Sequence, residues 1–270
     1  MLKNQRTWNH SMFNKYMKEG RGQGVGADYI PWIQIQEFPS LGMVSRVSGT
    51  TTGRIHHLMS NLELSLFYLL DWSDDVLDIR EQYPLTDIIK AVKIAENANI
   101  RYPYDLKSGF PYVLTSDFYL ETKQGPMVIS VKPSLELGKQ RVREKLEIEH
   151  RYWTMHSIQW NIMTENEINR TKASNIEWLA QAKDLTVFGL PEATQDACCE
   201  YFLESYYPCS SLAILFKEIE KVFGLVAGMG LNIYKHLAYW KRIVFDADKK
   251  VDLAEFCYNP NLSYNRGEVM

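Results

Sequence analysis

The stretch SDFYLETKQGPMVISVKP, residues 116–133, constrains the fold more strongly than any other part of the chain. Apolar residues recur at every second position on either side of a polar turn, a period typical of a β-hairpin. If residues 122–125 form the turn, Phe118 faces Ile129 and both side chains are buried. A slip of one residue would move these side chains to the wrong face. The pattern therefore predicts a hairpin in a single register.

The same register places Asp117 and Lys132 together on the other, polar face of the hairpin, opposite Ser130 and Thr115 respectively. The acid and the lysine are diagonal neighbours in this pairing, with backbones about 7–8 Å apart. A carboxylate here can hold Mg²⁺, and a lysine can orient the attacking water or offset transition-state charge in phosphodiester hydrolysis. A surface cross-strand ion pair is the other interpretation, and the two residues alone do not decide between them.

A second carboxylate for such a site can come from the segment SNLELSLFYLLDW, residues 60–72, whose leucines have helical spacing. Glu63 follows Ser60 by three residues, which is the form of a capping box at a helix N-terminus. Glu63 is therefore either a metal ligand or only part of the cap, and both interpretations stay open.

Glu149 lies on a predicted amphipathic helix, residues 136–153, whose apolar stripe includes Val142, Leu146 and Trp153. The acid falls among these apolar positions, three residues after Leu146 and four before Trp153. It is paired, directed toward the site as an accessory residue, or placed at the edge of the stripe facing water. The edge position is the expectation that the pattern favours.

The order of predicted elements divides the chain into two domains. Residues 1–168 mix helices and strands, which indicates a compact α/β domain. Residues 169–270 are mostly helical and end in a hairpin, an order that suggests a winged helix, which either reads DNA or docks another protein. The predicted helices are 60–72, 86–98, 136–153, 173–183, 192–207, 210–225 and 228–243, with a further capping box at Thr164 and Glu167 before a short helix. The predicted strands are 76–85, 112–121, 126–132 and 157–163, and the late hairpin is 243–256.

Two other motifs have a simpler explanation than a ligand site. The segment GRGQGVGADYIPW, residues 20–32, is glycine-rich, but the chain that follows alternates like a strand, whereas a phosphate loop needs a helix N-terminus. A flexible or closely approached loop is favoured there. His56 and His57 are adjacent on a strand and point to opposite sides, which argues against a shared metal.

Composition agrees with a folded protein, since 46% of the residues are hydrophobic and 23% are charged. A net charge of −3 gives no general attraction to nucleic acid or to anionic membranes. The N-terminus lacks the apolar core of a secretory signal, and no apolar run approaches the roughly 18 residues of a membrane span. The four cysteines lack CxxC spacing. We therefore expect reduced structural thiols in a cytoplasmic protein with no membrane partner.

Several longer segments are similar to one known family. EGRGQGVGADYIPW, GRIHHLMSNLELSLFYLLDWSDDVLDIREQYPL, TSDFYL, VISVKP, EKLEIEHRYW and TENEINRTKASNIEWL follow one another in this order. Together they closely resemble TnsA, the endonuclease subunit of Tn-seven-like heteromeric transposons. The resemblance covers most of residues 19–180 and extends weakly to NIYKHL, residues 232–237.

The resemblance implies a restriction-endonuclease-like catalytic domain, with a central mixed sheet flanked by helices, followed by a winged-helix C-terminal domain. It implies Mg²⁺, for which Mn²⁺ can substitute, held by Glu63 and Asp117, with Lys132 as the active-site lysine. The position two before the lysine is often acidic in this nuclease fold but is Ser130 here. A third ligand is then expected from the Ser130 hydroxyl or the Val131 main-chain carbonyl, with water.

TnsA-like proteins cut the 5′ ends of the element, whereas a TnsB-type transposase cuts and joins the 3′ ends. A TnsC-type ATPase couples the pair to target selection, and the C-terminal domain is its expected contact. The resemblance thus implies a bacterial protein that is associated with the nucleoid while it acts on transposon-end DNA. Two alternatives are a catalytically weak adaptor of a transposition complex, which Ser130 would support, and a free-standing restriction-type endonuclease.

Overall fold

A computed structural model of the chain describes residues 7–37, 43–206 and 211–251. The chain divides into two compact units, Met1–Ile168 and Asn169–Met270. Each unit has its own elements and its own core. Across the described ranges, no helix is both long and apolar enough to cross a membrane.

The first unit is built around a mixed sheet flanked by helices, as predicted. The helices are α1 His10–Lys18, α2 Asn61–Asp71, α3 Ile88–Asn97 and α4 Gln140–Met155. The strands are β1 Ser45–Ser48, β2 Ile55–Leu58, β3 Val76–Pro84, β4 Thr115–Thr122, β5 Gly125–Val131 and β6 Gln159–Met163. β1 and β2 pair with each other, and the other four strands form one sheet in the order β3-β4-β5-β6. β3, β4 and β5 are antiparallel, whereas β6 is parallel to β5 because α4 crosses over between them.

The predicted register of the hairpin is confirmed. Phe118 pairs with Ile129, and Thr122 pairs with Gly125 across the turn. Gly125 has a φ of +112°, a backbone conformation that side chains rarely adopt, which suits it to the residue that closes the turn. The apolar pattern and the turn residues therefore specify the same pairing.

The prediction that the second face of the hairpin is polar is wrong. Tyr119 and Val128 lie on that face and are buried in a cluster with Ala91 of α3 and Ile148 of α4. The first face packs against α2 through a second cluster that contains Phe118. β4 and β5 are inner strands of the sheet with helices on both faces, so both faces are apolar.

Strict alternation along β4 breaks at Asp117. Ser116 and Tyr119 are three residues apart, yet both contact Trp153, whose Nε1–H donates to Ser116 Oγ at 2.8 Å and whose ring centroid lies 6.0 Å from that of Tyr119. On the neighbouring strand Gln82 lies level with Asp117 and has a φ of +49°. Both strands thus depart from regular geometry at the same level of the sheet, and Asp117 stands at this irregularity.

The glycine-rich segment is a closely approached loop, but the strand expected after it does not form. Residues 26–28 and 35–37 are short 3₁₀ turns, and Ile30 makes an isolated bridge to Arg21. Gly22 has a φ of +71°, and a Cβ there would lie 2.2 Å from Pro84 Cγ at the end of β3. The close approach of Pro84 leaves no room for a side chain at residue 22, which explains why one position of this glycine-rich segment is glycine.

The two predicted capping boxes have different outcomes. Ser60 Oγ accepts from the Glu63 N–H at 3.1 Å and caps α2, as predicted. Glu167 Oε2 accepts from the Thr164 N–H at 2.7 Å, but these residues form a turn rather than the start of a short helix. The next helix begins only at Arg170, because the Asn169 side chain supplies its cap.

The second unit contains the four predicted helices, which are α5 Arg170–Ala180, α6 Glu192–Tyr206, α7 Leu212–Phe223 and α8 Met229–Tyr239. Tyr234 of α8 is fully buried against the rings of Phe202, Tyr206 and Phe216. Residues 243–251 form no strand, and the rest of the predicted hairpin lies outside the described residues. The mostly helical character is confirmed, and the winged helix stays a prediction.

Candidate active site

Asp117 and Lys132 meet at the end of β5. Lys132 Nζ donates to Asp117 Oδ2 at 2.7 Å and to the main-chain oxygen of Val131 at 2.9 Å. The Val131 N–H donates to the same Asp117 oxygen at 2.6 Å. The ammonium thus binds two of the oxygens that the sequence resemblance assigns to a metal ion. Their side chains are thus in direct contact, although their backbones are only diagonal neighbours in the predicted pairing.

The acidic neighbours of Lys132 determine the direction in which its pKa is shifted. Burial alone would lower the pKa of Lys132, but the negative charges of Asp117 and Glu149 outweigh it and hold this pKa above its ordinary value. Lys132 is therefore an ammonium at neutral pH. It can donate hydrogen bonds and offset negative charge, but it cannot accept a proton.

Glu63 stands at the N-terminus of α2 and is buried. Its Oε2 accepts from the Met59 N–H at 2.9 Å, and its Oε1 accepts from the Ser60 hydroxyl at 2.9 Å. Burial first, and the charge of Asp117 second, raise the pKa of Glu63 to about 7. A cation placed beside both carboxylates would relieve their repulsion. Glu63 thus belongs to the cap and to the same charged site, so the two interpretations are compatible.

Gln82 is a contact of Glu63 that the sequence did not reveal. Its side chain is buried, and its Nε2–H points to Glu63 Oε2 at 3.4 Å. The Thr115 hydroxyl donates to Gln82 Oε1 at 3.2 Å, which orients the amide with its NH₂ group toward Glu63. No sequence signal marks this residue, because a positive φ at a non-glycine position cannot be read from residue type.

The expectation that Glu149 faces water is wrong, because the carboxylate is buried beneath the sheet. The hydroxyls of Ser130 and Ser116 both donate to Glu149 Oε2, at 2.6 and 2.9 Å. The indole N–H groups of Trp160 and Trp153 donate to these two hydroxyls, at 3.2 and 2.8 Å respectively. Each serine hydroxyl therefore accepts a hydrogen bond from a tryptophan and donates one to Glu149. Burial, which is the largest of several influences, raises the pKa of Glu149 to about 7.

This network also locates Ser130, the departure from the usual nuclease pattern. Its side chain is fully buried and bound to Glu149 on α4, rather than to Asp117. An acid therefore does lie at this level of the site, but it comes from the helix instead of the strand. Both serine hydroxyls donate to Glu149 Oε2. Glu149 Oε1 is therefore the oxygen that could contact another group at the site.

The donor set suits a hard cation. Within the described ranges, no group of three or more His, Cys, Asp or Glu side chains is arranged to hold a metal ion. Two carboxylates, a main-chain carbonyl and water are nevertheless a set that fits Mg²⁺, which is commonly bound through one or two carboxylates. The histidines are not part of it. His56 contacts Glu81 and Thr52, while His57 accepts from the Ile35 N–H, so the two rings have separate partners as predicted.

Comparison with known proteins gives concordant matches over both units. A family model described as TnsA-like endonuclease N terminal matches residues 73–165, and one described as TnsA endonuclease C terminal matches residues 167–247. The transposon Tn7 transposition protein TnsA of Escherichia coli is 44% identical over 186 residues, which is 68% of this chain and 67% of that protein. The chain belongs to the TnsA endonuclease family. The predicted resemblance is thereby confirmed.

The TnsA family match agrees with the division of the chain. The two matched segments meet at residues 165–167, close to the boundary between the compact units. The N-terminal match includes Asp117, Lys132 and Glu149, whereas Glu63 precedes it. Family membership makes the chain an endonuclease and does not favour a non-catalytic adaptor or a free-standing restriction enzyme.

Proposed function

We propose that this TnsA-family chain is a transposon endonuclease that hydrolyses the 5′-strand phosphodiester at transposon ends, with its active site at Asp117, Lys132 and Glu63. The observation that carries the proposal is the contact of Lys132 with Asp117 and with the Val131 carbonyl at one end of the sheet. A surface ion pair would not need a buried acid that also accepts a main-chain N–H.

We propose Mg²⁺ as the cofactor, with Mn²⁺ as a substitute. Asp117, Glu63 and the Val131 carbonyl are the groups that would hold it, with the Ser130 hydroxyl turned away and Glu149 as an accessory acid. Such an ion would supply an activated water and would stabilise charge on the phosphate oxygens. The ammonium of Lys132 now binds two of the same oxygens, so a cation and this lysine compete for them.

The residues of the chain then have separate tasks. Lys132, held as an ammonium, donates to a phosphate oxygen and offsets the negative charge that develops in the transition state. Asp117 fixes the position of that ammonium. Glu149 supports the end of β5 through Ser130 and adds negative charge beside Lys132. The site thus acts mainly through charge, with Asp117 and Lys132 held as an ion pair.

The partners are proposed from the family to which the chain belongs. We propose transposon-end DNA as substrate, a TnsB-type transposase as the enzyme that cuts the 3′ strand, and a TnsC-type ATPase that contacts the C-terminal unit. We further propose that this unit is a winged helix. The protein would act in the bacterial cytoplasm, at the nucleoid.

The proposal is tested by cleavage of DNA that carries the transposon ends, in the presence of the partner transposase and Mg²⁺ or Mn²⁺. Asp117→Ala and Lys132→Ala should each lower cleavage by at least 100-fold. Lys123→Ala is the matched control, since Lys123 is an exposed lysine at the turn of the same hairpin that forms a surface ion pair with Asp75. Full activity of either site variant would show that the site assignment is wrong.

A further inference from the structure

Lys145 is a second lysine at the candidate site, and neither the sequence motifs nor the proposed chemistry use it. It lies on α4 four residues before Glu149, so the two side chains share one face of the helix about 6 Å apart along its axis. Glu149 binds Ser130, which precedes Lys132 by two residues on β5. Lys145 is therefore next to the site, on the side of α4 that faces the end of β5.

The surroundings of Lys145 are cationic. The charged groups that act on it are Arg141 from its own helix, Lys132 directly after β5, and Glu149, whose Oε2 accepts from two serine hydroxyls. Partial burial first, and then Arg141 and Lys132, lower the pKa of Lys145, which Glu149 opposes. An anion near this position would be bound by Lys145 and Lys132 together.

Lys145 also differs from two other cations on its helix, which are ion-paired. Arg141 is paired with Glu144 and Arg151 with Glu147, in each case through a contact within one turn of α4. Lys145 is partly enclosed by its neighbours but remains accessible to solvent, and it makes no side-chain hydrogen bond or ion pair within the part of the chain that the structure describes. An exposed lysine next to a nuclease site, held near like charges and unpaired, is suited to a phosphate.

We propose that Lys145 binds a non-bridging oxygen of a DNA backbone phosphate adjacent to the phosphate that is cut, and so holds the substrate strand against Lys132. This inference rests on the proposed function, because it takes DNA as the substrate. Lys145 increases the affinity for the DNA strand and helps to position it, but it does not distinguish one base sequence from another. Lys132 acts on the scissile phosphate itself.

The test compares Lys145→Gln with wild type in the complex with the partner transposase and transposon-end DNA. The equilibrium constant for DNA binding is measured against salt concentration. Loss of one phosphate contact should lower the magnitude of the slope of log K against log salt by about 0.9, and lower cleavage at sub-saturating DNA. Lys145→Arg should restore most of both. Lys123→Gln, at the far end of the hairpin, should leave the slope unchanged.

Neutral methylphosphonates placed one at a time around the cut then locate the contact. At one position next to the scissile phosphate, the substitution should remove the difference between wild type and Lys145→Gln. An unchanged slope, an equal loss in Lys123→Gln, or no such position would overturn the inference. Binding is read separately from cleavage. A complex that binds with the predicted slopes but never cuts would therefore contradict the proposed function and not the phosphate contact.

Discussion

Lys132 is the residue whose chemistry depends most on its neighbours. Its ammonium binds Asp117 Oδ2 and the Val131 carbonyl, the oxygens that a divalent cation would also use. Lys132→Gln should therefore lose cleavage by about 100-fold or more, as expected for removal of a transition-state donor. The same variant should bind Mn²⁺ at least as tightly as wild type, because the competing charge is gone. Titration of Mn²⁺ by electron paramagnetic resonance measures this, and weaker binding would show that Lys132 does not compete with the ion.

Gln82 combines a constrained backbone with a contact to Glu63. At a φ of +49°, leucine is strained whereas glycine is not, and both substitutions remove the amide contact. Gln82→Gly and Gln82→Leu should both reduce cleavage, by roughly tenfold, since Glu63 loses a donor. Gln82→Gly should be more stable than Gln82→Leu by about 1 kcal/mol, as measured by chemical denaturation. Wild-type activity in both variants would remove Gln82 from the site.

Glu149 should make stability depend on pH. Its pKa is about 7 in the folded protein against an ordinary value of 4.5. The folded state therefore holds a proton that the unfolded state releases, and its stabilising effect is complete below about pH 4.5. The free energy of unfolding should fall by about 1–3 kcal/mol as pH rises from about 4.5 to about 7, without divalent cations.

Glu149→Gln should reduce this dependence in denaturation experiments across that pH range, and the remainder is expected from Glu63, whose pKa is also about 7. Glu147→Gln is the control, since Glu147 lies on the same helix but is partly exposed and paired with Arg151. A decline of the same size in Glu149→Gln as in wild type would assign the effect to other groups.

At the scale of elements, the hairpin shows what the sequence could predict. Its register followed from two local signals, the apolar period and the turn, and both lie within residues 112–132. The burial of its second face did not follow, because α4 reaches that face only through the crossover to β6. Glu149 was misplaced for the same reason. A stripe on a helix shows which side is apolar, but a buried acid is recognised only when its partners on other elements are known.

The remaining errors also arise from contacts between distant parts of the chain. The alternating residues after the glycine-rich loop could not form a strand, because Ile30 and its neighbours are held near Arg21 and β3. Thr164 and Glu167 formed the side-chain contact of a capping box without a helix. Family resemblance supplied Glu63 and Lys132 as a set, which spacing alone left open.

The loop before β1 offers a test at the same scale. Gly22→Ala places a Cβ 2.2 Å from Pro84 Cγ and imposes a φ of +71° on alanine. The variant should lose about 2–4 kcal/mol of unfolding free energy, from overpacking and backbone strain together. Gly138→Ala is the matched control, because its Cβ would meet nothing within 4 Å and its φ is not positive. Equal stability of the two variants would contradict the close approach of this loop to β3.

At the scale of the whole molecule, both compact units match the TnsA family in the order expected of one endonuclease chain. The first unit holds the acids and the lysine, and the second is a helical unit with its own aromatic core. We propose that this chain makes one of the two cuts that release an element. Its activity is therefore best resolved strand by strand.

The most direct test labels both strands of a transposon-end DNA and maps the breaks made with the partner transposase and Mg²⁺. Wild-type protein should give breaks in both strands. Asp117→Asn should eliminate the 5′-strand break and keep the 3′-strand break, because it removes the charge that holds Lys132 and a cation without removing the partner contacts. A persistent 5′-strand break in Asp117→Asn would contradict the proposed active site.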